Sequence, residues 1–467
     1  MPVYPLFGLN QGGKSTTVSA ERHLNLYAEI VPEGDKSRLV FYGTPGLSLF
    51  TSFGDTTVRG ALAVGNLLYM VHRGTLYEVN NAGVKTARGT LNTTSGRVDL
   101  AYNGTQIGIV DGVNMYLYTV SSNAFAVVAS GLFANPISIT FQDGYFIACF
   151  ANSGRFQKSK AYDGATWDAL DFATAESNPD NLVRVLADHG ELVLAGELTI
   201  EFWGNSGGQD FAYSNIRGAT LEFGLAAPWS LVKFNDSLAG LFKNRMGQVQ
   251  IMMMAGHALQ KISTPEVDYL INSYATVADA TAFAYMLGGH PMLQVNFPSA
   301  GKSWLFDAST SLWTPLESGL SGGRHLAEIH VDFLNKPRVT DYANGNVYNL
   351  DPAVYTDNGA PIARELVGRH LNQSYSLLTV HRLQVDFETG VGQVDGSDPQ
   401  ALLQISRDNG HTWGNELWTS IGVIGSYLTR AVWRRLGAAR DFLFKIRVTD
   451  PVKVVITGAS IEVEQGR

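Results

Sequence analysis

The sequence predicts an all-β chain: a β-propeller of six or seven blades, with an additional C-terminal β-domain that can take up the N-terminal segment. Three observations carry this. A two-strand unit with alternating apolar positions recurs about seven times at intervals of roughly 40 to 50 residues, the period of propeller blades. No window shows a long amphipathic helix. Glycine is abundant, 49 residues against 16 prolines, as many tight turns require. The bland alternative is a non-repeating stack of antiparallel sheets.

The unit is clearest at 184–203. Val185, Ala187, Leu192 and Leu194 recur at period two, and Thr199, Glu201 and Trp203 alternate with Ile200 and Phe202. Asp188-His189-Gly190 interrupts the first run with turn chemistry, since glycine tolerates positive φ and aspartate bonds its own following backbone. Ala195-Gly196 breaks the second. One such unit leaves two open edges and an apolar face, so it needs neighbours. Copies stand at 61–79, 99–120, 138–159 and 230–254, and looser ones at 282–307 and 329–351. Polar turns divide them at Gly65-Asn66, Asn103-Gly104, Gln142-Asp143-Gly144 and Asn235-Asp236.

Composition narrows the function. A chain of 467 residues has room for two or three domains, although repeat folds run longer as one body. The 34 basic and 42 acidic residues give a net charge of −8. A module that grips nucleic acid by its phosphates needs a basic surface, so a conventional DNA-binding module is excluded. Cys149 is the single cysteine, which rules out an internal disulfide. It lies among Phe146, Ala148 and Phe150 and reads as a core residue. The first residues lack a basic stretch followed by an apolar one, and no window approaches a membrane span. The expectation is a chain made in a cytoplasm that stays soluble.

Three domains are expected: an extended segment over 1–55 that belongs with the platform, the propeller over 56–361, and the platform itself over 362–467. Within the first, residues 8–15 match G-x-x-x-x-G-K-[ST]. A phosphate loop follows a buried strand and opens a helix. Here Pro5 stands in the lead-in, and Thr16, Thr17 and Val18 in the lead-out disfavour helix. The stretch reads as a glycine-rich loop that binds no nucleotide.

Residues 160–182 read as an insertion carrying Asp163, Asp168, Asp171, Glu176 and Asp180. Carboxylates this close suit calcium or acid–base chemistry. Their order is not that of a calcium loop, and a solvated acidic loop is expected. His325 and His330 lack the helical metal-site spacing. No metal, cofactor or catalytic residue is expected.

The platform reads as strands near 371–386, 401–406, 413–418, 441–448 and 452–463, with a Gly/Asp/Ser-rich loop at 390–399. Ser406, Asp408, Gly410, Thr412 and Trp413 match S-x-D-x-G-x-T-W at every fixed position. This is the Asp-box, a hairpin turn found in sialidases and other β-proteins. Its expected chemistry is structural: aspartate caps turn amides, glycine takes the left-handed position and tryptophan packs beneath.

Several pieces together resemble one family: AERHLNLY at 20–27, YGTPGL at 42–47, DGATWDALDFATAE at 163–176, GATLEFGLAAPW at 218–229, LGAARDF at 436–442 and KIRVTDP at 445–451. The chain resembles the tail hub, or nozzle, proteins of short-tailed bacteriophages (podoviruses), also called packaged-DNA stabilisation proteins. The resemblance runs from about residue 20 to the C-terminus; 265–360 carry none of its motifs. It implies a non-enzymatic virion protein of the tail, assembled in the host cytoplasm. Six copies would form a ring below the portal-adaptor ring, contact the tail fibre, spike or needle protein, hold the packaged genome in, and later pass the DNA without sequence-specific binding. Two rival classes are a sialidase-like glycan-binding or glycan-hydrolysing propeller, suggested by the Asp-box and by Trp167, Trp203 and Trp229, and a P-loop NTPase.

Overall fold

The computed structural model describes residues 8, 14–31, 39–128, 135–175, 177–208, 211–374, 376–393 and 395–466. Glu176 and most of the 8–15 motif, residues 9–13, lie outside them.

Each repeat copy lies in a separate sheet, seven in all, antiparallel except where Thr356–Asp357 pairs in parallel with Gly46–Ser52 in the seventh. Blade 4 shows why. Leu182–Asp188 and Glu191–Gly196 pair with Asp188 opposite Glu191, leaving His189 and Gly190 as a two-residue turn with φ of 46° and 80°. Two positive φ values match the right-handed twist of the flanking strands. Ile200–Asn205 and Tyr213–Asn215 complete the sheet. Blade 7 makes the same turn with Leu334 and Asn335, at φ of 54° and 58°, although neither is glycine.

The apolar faces of successive blades pack on each other. Ile147, Cys149 and Phe156 of blade 3 meet Leu182, Val185, Leu192 and Leu194 of blade 4 in one buried cluster. Cys149 is fully buried there, and burial pushes its thiol up to about 12, so the unreactive core reading of the sequence agrees with its environment. Innermost strands touch their neighbours from blade 5 through blades 6, 7, 1, 2 and 3 to blade 4, and the ring closes where Ala327–Phe333 of blade 7 meets Val58–Val64 of blade 1.

The closure is chemical as well as geometric. Blade 7 has three strands from its own stretch: Ala327–Phe333, Lys336–Asp341 and Asn346–Asp351. Its fourth is Gly46–Ser52, with Leu47 opposite Leu350 and Leu49 opposite Tyr348. Gly46 is held so tightly that a Cβ there would lie 2.5 Å from the carbonyl oxygens of Val354 and Thr356. The segment 1–55, expected to act with the platform as one piece, therefore divides. Its alternating residues suit any sheet edge, and the edge that takes 46–52 is supplied 300 residues later in the chain.

The preceding strands go to a two-sheet sandwich. Arg22–Leu24 pairs with Arg364–Val367, followed by Asp441–Val448, Gln400–Ser406 and Leu417–Ser420. Leu26–Ile30 pairs with Leu39–Gly43, followed by Val455–Gln465, Leu378–Phe387 and Ala431–Ala439. The sheets bury Phe41, Leu383, Leu403, Trp433, Phe442, Phe444 and Ile461 between them. Asn25 marks the crossing from one sheet to the other. Its Nδ2 donates to the carbonyls of Glu317 (2.9 Å) and Ala363 (2.8 Å), and its Oδ1 accepts from the Glu317 amide at 3.0 Å, tying the sandwich to blade 6.

His23 makes the sandwich acid-sensitive. It is buried against Phe41, ring centres 4.7 Å apart, and burial pushes it down to about 4. Between pH 6.5 and 4 the unfolded chain takes up a proton at this site and the folded chain does not, so stability falls with pH. The loss is on the order of 3 kcal/mol across that window. A His23→Phe variant, melted from pH 7 to 4, is expected to show a shallower decline.

Candidate functional site

The Asp-box turn joins Gln400–Ser406 to the chain leading into Leu417–Ser420. Asp408 accepts from the Thr412 amide (2.9 Å) and the Thr412 hydroxyl (2.6 Å), and from the Ser406 hydroxyl (2.7 Å). The Gly410 amide donates to Ser406 Oγ at 2.9 Å, and Gly410 has a φ of 86°. The Lys445 ammonium sits 4.0 Å from the Trp413 ring centre. Both Asp408 oxygens thus bind the turn itself. The hydrogen bonds from the Thr412 hydroxyl and amide, then from Ser406, hold its carboxyl down at about 2. Stability from these bonds is present above the unfolded pKa near 4 and lost as pH falls through 2. Asp408→Ala is expected to lower the melting temperature at pH 7 and to leave the assembly of folded protein intact. A glycan activity lost at unchanged melting temperature would give Asp408 a chemical role instead.

The acidic insertion is tied down more than a solvated loop would be. Asp171 is buried and lies 3.0 Å from Lys158 and 2.9 Å from Lys160. Burial opposes its ionisation, but the hydrogen bonds from the two lysines outweigh that and hold its carboxyl below the usual range. Asp180 accepts from the Leu198 and Thr199 amides at 2.7 and 2.9 Å, and Asp163 and Asp168 each accept a backbone amide two residues on. Part of this was out of reach of the sequence because Lys158 and the 198–199 amides lie outside the insertion. His325 is buried beside Gln294, whereas His330 stacks on Phe283. Among the described residues no group of three or more His, Cys, Asp or Glu is placed to hold a metal.

Lys14 of the glycine-rich stretch stands 5.4 Å from the Tyr269 ring centre. The chain after it makes a turn from Ser15 to Val18, not a helix, and His370 Nε2 bonds the Thr16 carbonyl at 2.8 Å. Trp167 is buried, its indole donating to the Gly164 carbonyl, and Trp203 donates to Glu201. The sandwich exposes several large apolar side chains in one stretch of sequence. Trp418, Ile424, Tyr427 and Leu428 are exposed, Leu428 by 93%. Arg430, Arg434 and Arg435 lie within seven residues after Leu428 in the sequence.

A family described as "Bacteriophage P22 Gp10, beta-propeller" matches residues 6–355, and its companion, "Bacteriophage P22 Gp10, beta-sandwich", matches 363–464. The chain belongs to the bacteriophage P22 Gp10 family. The Gp10 family is one of tail-related bacteriophage structural proteins; its propeller match covers the seven blades together with the strands at 22–43 that join the sandwich, and its sandwich match covers the rest of the two-sheet domain. No curated protein matches this Gp10-family chain. Among solved structures it is similar to the computationally designed Ika8 protein (12% identity, 71% of this chain and 100% of that one, TM-score 0.40). It is also similar to the Neurospora crassa Pan2 WD40 domain (9% identity, 66% and 96%, TM-score 0.43). No helix among the described residues is long and apolar enough to cross a membrane.

Proposed function

We propose that this protein is a tail hub, or nozzle, subunit of a short-tailed phage. Six copies form a ring below the portal-adaptor; the ring retains the packaged genome and later conducts it during ejection. The observation that carries this reading is the match of both domains to one family of phage tail structural proteins. The sandwich is the surface proposed for the ring and adaptor contact. A monomer that exposes Trp418, Ile424, Tyr427 and Leu428 on one domain carries apolar side chains suited to burial against a partner. In a closed ring each contact is heterologous, one face of a subunit meeting a different face of the next.

Charge supports passage over binding. Between 46 and 361 there are 27 acidic and 18 basic residues, while the rest of the chain is near balance with 15 and 16. An acidic wall does not accumulate the phosphate contacts that would stall DNA in transit. The protein acts in the virion tail, beside the adaptor and the fibre, spike or needle protein, without an enzymatic step of its own. Replacing Trp418, Tyr427 and Leu428 together by serine tests the surface. Native mass measurement is expected to show a folded monomer that no longer forms rings with the adaptor. Rings of unchanged mass and yield would move the contact elsewhere.

A further inference from the structure

At one end of the propeller axis, where the innermost strands begin, lies a cavity of about 270 Å³ lined by residues of blades 1, 2, 4, 5, 6 and 7. Its walls include Arg97, Arg184 and Trp229. The two guanidinium carbons lie 5.0 and 4.3 Å from the Trp229 ring centre. Three blades thus bring two cations and an indole to one point.

The cations are under-compensated. Arg184 reaches Asp99 at 3.4 Å, and Arg97 stands 3.8 Å from Glu328, beyond hydrogen-bond distance. Nε and Nη1 of both arginines have no hydrogen-bond partner. Their carboxylates are shared. Asp99 also accepts from the Ser138 hydroxyl (2.8 Å) and the Ile139 amide (3.1 Å), and Glu328 is paired with Arg324. Arg97, Arg184 and Arg324 thus share the two carboxylates Asp99 and Glu328, and Lys233 and His330 line the cavity beside Arg97 and Arg184. Burial lowers Arg97 to about 10, which leaves it charged at neutral pH.

Arg364 of the sandwich leaves the same two nitrogens without a hydrogen-bond partner, so what sets Arg97 and Arg184 apart is that two such guanidiniums line one cavity. Arg59, buried on blade 1, shows a guanidinium fully satisfied by the chain. It donates to the carbonyls of Arg73, Thr93, Ser95 and Gly96 and to the Thr93 hydroxyl, at 2.6 to 2.8 Å. An unpaired buried donor is costly, and a buried like-charge pair more so. Planar guanidiniums bind oxyanions through forked hydrogen bonds, and the volume suits a small ion with a few waters.

We propose that the axial cavity binds a small oxyanion of the phosphate or sulfate class, held between Arg97 and Arg184 beside Trp229. The ion joins blades 2 and 4 through one charge, beside Trp229 of blade 5. Its binding stabilises the folded propeller by mass action.

The test is thermal unfolding of the full chain in chloride buffer at fixed ionic strength, titrated with inorganic phosphate. A saturable rise in melting temperature is expected, reproduced by sulfate and abolished in Arg184→Met. Should that variant not fold, crystals of the unaltered protein soaked in tungstate are expected to show anomalous density between Arg97 and Arg184. No saturable rise, an equal rise in Arg184→Met, or tungstate absent from the axis would overturn the proposal. A short DNA oligonucleotide is expected not to displace phosphate; displacement would make nucleic acid the occupant and would also overturn it.

Discussion

A chain cut to residues 54–361 is expected not to form a propeller, whereas one cut to 44–361 is expected to form it. The two differ by the strand Gly46–Ser52. Without it, Asn346–Asp351 becomes an open sheet edge, with unpaired amides and carbonyls. Leu47, fully buried, also leaves the cluster it shares with Phe283, Tyr285, Tyr348 and Leu350. Truncating Leu47 alone to alanine is expected to cost about 2–5 kcal/mol. Losing the whole strand removes this together with the pairing that joins the two ends of the ring. Circular dichroism melts check the outcome: a cooperative transition for 44–361, and none for 54–361. A shared transition would mean that seven blades close without the N-terminal strand.

What the sequence made legible is what is local. The hairpin at Asp188-His189-Gly190 and the Asp-box turn both complete their bonding within a few residues, so their residue types already fix their shape. The seven units were readable for the same reason. Alternation misled in one respect. Glu201 sits on the polar side of its strand pattern yet is buried, accepting from the Ser177 amide, Trp203 Nε1 and Asn215 Nδ2, because propeller sheets are packed on both faces.

The rest depends on distance or on broken pattern. Gly46–Ser52 finds its partner 300 residues away, which no local pattern encodes. The strand Ala431–Ala439 escaped notice because Arg434 and Arg435 interrupt its alternation. Arg435 has a φ of 58° and Gly437 a φ of 86°, and the pairing shifts between Val380 and Arg382. This is a bulge, which adds a residue and resets the side-chain phase. The helix Pro265–Asn272 is eight residues long and buries only Val267 and Ile271, too short a stripe to stand out. The axial cavity is the extreme case. Arg97, Arg184, Trp229 and Glu328 belong to four different repeats, and only ring closure brings them together.

The hub account carries the largest consequence for the virus. If the ring seals the head, a particle assembled without this protein has an open portal. On this proposal the ring is needed to retain the genome and not to package it. The decisive measurement is therefore the DNA content of particles assembled in its absence, compared before and after purification. The account predicts heads that fill and then empty, with intact protein shells and little protected genome. Particles that keep a full, nuclease-resistant genome without this protein would contradict it.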